Sequence, residues 1–113
     1  MVYDKAHELA SELKKCPEFL EYARLKETVT ADEKTKALLK DYKKLQIEAQ
    51  AAYIGGSDVP EETMDKLKKL GEVLAFNNEV TAFFAAEYRF QTLLGDVYKI
   101  LGDACDYGLD LIP

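Results

Sequence analysis

Between Asn77 and Leu111 the chain carries no proline, and apolar side chains recur at helical spacing through Phe83, Phe90, Leu94, Val97, Leu101 and Ala104. Residues three, four and seven apart share one side of a 3.6-residue turn, so this spacing predicts one long amphipathic helix. A second stripe, Val80, Phe84, Tyr88, Tyr98 and Cys105, lies about a hundred degrees around the same cylinder. Together the stripes are wider than one partner helix covers. Gly95 and Gly102 share a heptad position, and with Ala82, Ala85 and Ala86 they keep the surface low enough for another backbone to approach. The pattern describes a packing core and implies no reaction.

Upstream, Ala6, Leu9, Ala10 and Leu13 predict a short helix from Tyr3 to Lys15. Cys16-Pro17-Glu18 then restarts the chain, since proline fits a first helical turn and Glu18 suits the positive end of the helix dipole. The second helix is expected from Pro17 to Thr28, with Phe19, Tyr22 and Ala23 facing inward. Thr30-Ala31-Asp32-Glu33 has the form of a capping box, which places the start of a third helix there. Its stripe, Leu38, Tyr42, Leu45, Ala49 and Ala52, runs to Ile54, where Gly55-Gly56 supplies a left-handed stop. Pro60-Glu61-Glu62 opens a fourth helix with Met64, Leu67, Leu70, Gly71 and Leu74 on one face, and Asn77-Asn78 ends it and caps the next.

The expected fold is therefore all-α, five helices in a single domain over residues 1–113, with helices three and five the long ones and paired as a long antiparallel hairpin. A globule of this size has a radius of gyration of about 13 Å, whereas a thirty-residue helix is roughly 45 Å long. The last helix should overhang such a globule, and its far end still carries Tyr98, Leu101, Cys105 and Leu109. Apolar surface of that extent marks an interface, so self-association through the long-helix hairpin is expected, most simply as a two-fold dimer. Phe84, Tyr88, Tyr98, Leu101 and Cys105 are the expected interface residues.

Charge narrows the function. At a formal net charge of −6, generic binding to a phosphate backbone is disfavoured. Lys34, Lys36, Lys40, Lys43 and Lys44, and Lys66, Lys68 and Lys69, gather locally, but they alternate with Glu33, Asp41, Glu48 and Asp65 as on solvated helix faces. No signal-like or bilayer-length apolar run occurs, and Cys16 and Cys105 are far apart without a CxxC neighbour, so a cytoplasmic protein with reduced thiols is expected.

Candidate chemistry is sparse. Glu87 falls on the apolar stripe between Phe83 and Phe90, where a buried carboxylate either acts as an acid or base or pairs with a neighbouring helix and fixes packing register. Buried polar pairing is the expectation. His7, the only histidine, has no HxxxH partner, and a metal site would require His7, Cys16, Cys105 and an acid to converge. Neither cysteine has a placed catalytic partner, and Gly55-Gly56 lacks the lysine of a phosphate-binding loop. No catalytic, metal or cofactor site is expected.

One resemblance spans nearly the whole chain. It rests on Ala6-x-x-Leu9-Ala10, Pro17-Glu18-Phe19-x-x-Tyr22, Leu39-x-x-Tyr42 with Gln46 and Gln50, the Gly55 turn, and above all Leu70, Leu74, Asn77, Val80, Phe83, Ala86-Glu87, Phe90, Leu93-Leu94 and Val97. These residues, by order and spacing, resemble the YlbF/YmcA family of small bacterial helical proteins, which includes YheA. The resemblance implies a long antiparallel hairpin and dimers or higher oligomers. It also implies a non-enzymatic regulator of competence, sporulation, biofilm formation or messenger RNA processing, with YlbF-, YmcA- or YaaT-like proteins and endoribonuclease Y as partners. Some complexes of that family hold iron–sulfur clusters, but Cys16 and Cys105 alone cannot complete a four-thiolate site, which leaves only a cluster shared between subunits. The alternatives from other classes are a ligand- or metal-binding bundle centred on Glu87, an RNA adaptor using Lys40, Lys43 and Lys44, and a YheA-like homo-oligomer of unassigned role.

Overall fold

The computed structural model describes residues 1–105, which form five α-helices and no strand. These are α1 (Val2–Lys15), α2 (Pro17–Thr30), α3 (Glu33–Ile54), α4 (Glu61–Ala75) and α5 (Asn78–Cys105). The all-α class and the helix count are as the periodicity requires. The continuation of the last helix to Leu111 falls outside the described residues.

Boundaries follow local chemistry. Cys16 is extended (φ −69°, ψ 149°), as the residue before a proline must be, and its N–H still reaches the Leu13 carbonyl to close α1. Pro17 opens α2, which runs two residues further than expected. The cap of α3 is a correction. Asp32, not Thr30, is the N-cap: its Oδ2 accepts from the Thr35 N–H at 3.1 Å and from the Thr35 hydroxyl at 2.6 Å. The Thr30 hydroxyl instead donates to the Lys26 carbonyl at 2.6 Å, one turn back inside α2. A threonine late in a helix meets its own i−4 carbonyl sooner than the next helix, and the better-placed aspartate takes the cap. Asn77 caps α5, its side-chain oxygen accepting from Glu79 and Val80 N–H at 2.9 and 3.3 Å.

The contacts divide into two compact units, the first of Met1–Ala23 with α5 from Phe84 onward, the second of Arg24–Phe83. The second unit holds most of the fully buried apolar side chains: Leu25, Val29, Leu39, Leu74, Val80 and Phe83. Each contributes about 1.5–3 kcal/mol by leaving water. Leu25 and Val29, one turn apart on α2, replace Phe19, Tyr22 and Ala23 as the deepest residues of that helix. Here α3 packs against its chain neighbour α4, a hairpin that helix length alone did not single out. Gly71 faces Tyr42 there, and a methyl at that position would stand 3.6 Å from the ring, an ordinary contact.

In the first unit, Phe90 of α5 meets two rings of α2, Phe19 at 5.2 Å and Tyr22 at 5.7 Å between centroids. Ala86, one turn earlier, is fully buried. Helix α1 differs. It has an apolar face of Val2, Ala6, Leu9 and Leu13, yet none of its residues is buried, and only Leu9 and Leu13 are partly covered.

Candidate interaction surface

Beyond Phe90 the first unit leaves large apolar side chains of α5 in contact with water. Tyr98 is 70% exposed and Leu101 52%, and Cys105 is exposed as well. At about 100° per residue these three leave the helix within roughly sixty degrees of one another, so they form one continuous edge. Tyr88 is 71% exposed, but it lies about 140° around the cylinder from Leu101. The sequence-based set of interface residues thus separates into a Tyr98–Leu101–Cys105 edge and an outlying Tyr88. Phe84 is half-buried.

Each part faces a different cleft. Leu101 closes an apolar groove of about 610 Å³ with Met1, Val2, Lys5, Ala6 and Leu9 of α1. Lys5 is the one charged lining residue, and its ammonium is held 3.3 Å from Glu8. Tyr88 instead borders a smaller cleft of about 390 Å³ with Glu18, Arg89, Thr92, Leu93 and Asp96, which is rich in polar groups. The contribution of α1 is the part that periodicity along α5 could not show. Its signal lies in the Ala6, Leu9, Ala10 and Leu13 spacing, from which only a short helix follows, and Val2 extends the same face.

Glu87 is half-buried and engaged by a neighbouring group. The Cys16 thiol, half-buried, donates to the Leu13 carbonyl at 3.0 Å, whereas Cys105 is exposed. Among the described residues no three His, Cys, Asp or Glu side chains converge as metal ligands. In the second unit, Lys44, Lys66 and Lys69 border a cleft of about 540 Å³, but Asp41 and Glu48 share the same rim and Lys66 pairs with Glu62 at 3.0 Å. That surface is of mixed sign. No described helix is long and apolar enough to cross a membrane.

Comparison with known proteins agrees with this architecture. A UPF0342 protein of Clostridium tetani is 41% identical over 108 residues, covering 96% of this chain and 93% of that protein. A UPF0342 protein of Halothermothrix orenii is 34% identical over 108 residues, covering 96% and 92%. Among solved structures, a protein of unknown function (DUF964) from Bacillus stearothermophilus has the same fold, with a TM-score of 0.75 at 15% identity and 95% and 94% coverage. So does Bacillus subtilis RicA in complex with RicF, with a TM-score of 0.60 at 20% identity and 96% coverage of both chains. The family described as control of competence regulator ComK, YlbF/YmcA, matches residues 2–105, and this chain belongs to it.

Proposed function

We propose that the protein is a non-enzymatic regulatory adaptor that acts by binding other proteins and associates with itself through the C-terminal half of α5. The observation that carries this reading is Leu101, 52% exposed at the wall of an almost wholly apolar groove. Apolar surface of that kind is covered in a working assembly. The family description, control of a competence regulator, supports a regulatory role, and the RicA fold neighbour was solved with a protein partner. In this reading residues 1–113 act as one domain in the cytoplasm, Glu87 fixes packing register through its polar partner, and the chain turns over no substrate. Its partners are further copies of itself and YlbF-, YmcA- or YaaT-like proteins, with endoribonuclease Y beyond them, in competence, sporulation, biofilm formation or messenger RNA processing.

The test is recovery of the tagged protein from its native host, with companions identified by mass spectrometry. YlbF-like, YmcA-like or YaaT-like proteins, or the endoribonuclease, are expected. Recovery of the protein alone would remove the adaptor reading and leave a YheA-like homo-oligomer.

A further inference from the structure

We infer that α1 forms half of the self-association surface: Met1, Val2, Tyr3 and Ala6 of one copy, together with Tyr98 and Leu101 of α5, are covered by the same residues of a second copy. The inference rests on the association proposed above and adds an element to it. Area is the first argument. Exposed aromatic side chains offer about 150–250 Å² each, so Tyr98 at its observed exposure, with Leu101 and Cys105, supplies roughly 300 Å². A specific, stable interface takes about 800 Å² from each partner. The α5 residues alone fall short. Met1 at 93% exposure, Val2 at 79% and Tyr3 at 83% supply most of the rest, and Met1 and Val2 adjoin Leu101 across the groove.

The second argument is that α1 has no other cover among the described residues. A helix with an apolar face and no buried residue gains little from its own unit, and a fourteen-residue helix is marginal in water without such packing. Burying the groove also strands no charge, because Lys5 is already paired with Glu8. A small ligand is a poorer occupant, since ligand pockets enclose most of the molecule and this groove is walled by exposed side chains. An anionic lipid surface is poorer still: Lys5, the one charged residue lining the groove, is already paired with Glu8, and the chain carries a net charge of −6. A second copy presents the same apolar area and the same neutralised lysine, which satisfies an isologous two-fold contact.

Light scattering of the full-length chain tests this with three substitutions and a control. Val2→Asp and Ala6→Asp on α1 place one buried charge per subunit in the contact, as Leu101→Asp does on α5. Ser11→Asp charges the opposite side of α1. Wild type and Ser11→Asp are expected at the dimer mass, and the other three at half of it, with helical circular dichroism unchanged. A dimer mass for Val2→Asp and Ala6→Asp beside a monomeric Leu101→Asp overturns the role of α1 and leaves the α5 interface standing. A dimer mass for all three overturns the interface assignment on both helices, and a monomeric wild type overturns the association itself.

Discussion

Phe90 and Leu101, three turns apart on α5, leave the helix in nearly the same direction, yet the rings of Phe19 and Tyr22 lie over Phe90 whereas Leu101 is 52% exposed. One face of one helix is therefore covered by the chain's own rings at Phe90 and left open to water at Leu101. Truncation should separate them. Phe90→Ala removes a half-buried ring and is expected to lower unfolding free energy by about 2 kcal/mol, below the range for fully buried phenylalanine. Leu101→Ala should change the stability of the dissociated chain by less than about 0.5 kcal/mol, as surface changes do, while shifting the monomer–dimer equilibrium toward monomer. Urea titration at low protein concentration and sedimentation at high concentration read the two effects. A large loss of monomer stability for Leu101→Ala would mean that the residue belongs to the core.

Gly71 sits where α4 meets Tyr42 of α3, and a methyl there would lie 3.6 Å from the ring, an ordinary contact. Glycine inside a helix costs up to about 1 kcal/mol relative to alanine. Gly71→Ala should accordingly stabilise the protein by up to about 1 kcal/mol. Gly71→Leu extends the side chain into the ring and should destabilise it through overpacking. Thermal unfolding of both variants checks the pair, and a destabilised alanine variant would show that the hairpin packs closer than this.

Hydrogen bonds from the Thr35 hydroxyl, and then from its N–H, hold the Asp32 carboxyl below its ordinary range, with Lys34 adding to the effect. A carboxylate depressed on folding stabilises the native state above its unfolded pKa, and that stability is lost as pH falls through the folded value. Asp32→Asn keeps a cap acceptor but cannot titrate. Between neutral pH and the acid side of the carboxylate range, the Tm of wild type should fall further than that of Asp32→Asn. Parallel Tm curves would remove Asp32 from the acid response.

Helix class and most boundaries were legible because they depend on local rules. Pro17, the Gly55-Gly56 pair and Asn77 each determine what the backbone can do within a turn or two. The cap of α3 was misread because Thr30 and Asp32 both satisfy capping rules, and only the length of α2 decides between them. The surface was half legible. The expected set joined Leu101 from one stripe to Phe84, Tyr88, Tyr98 and Cys105 from the other, and that union places Tyr88 with Leu101 although the two leave the helix about 140° apart. The groove wall from α1 depends on which helices meet, and spacing within one helix does not carry that information.

The stop at the end of α3 gives a sharper test of local reading. Ser57 N–H reaches the Ala52 carbonyl at 2.9 Å and Gly56 N–H reaches the Tyr53 carbonyl at 3.1 Å, the paired bonds of a Schellman motif, with Gly56 at φ +77°. A side chain at that φ meets its own backbone even though the surrounding space is open. Gly56→Ala should therefore cost about 1–2 kcal/mol of stability from strain alone. Gly56→Asn should cost less, because asparagine tolerates the left-handed region. Equilibrium unfolding of the two variants orders them. Equal losses would show that the turn relaxes out of the left-handed conformation, and with it that the α3–α4 hairpin does not depend on this stop.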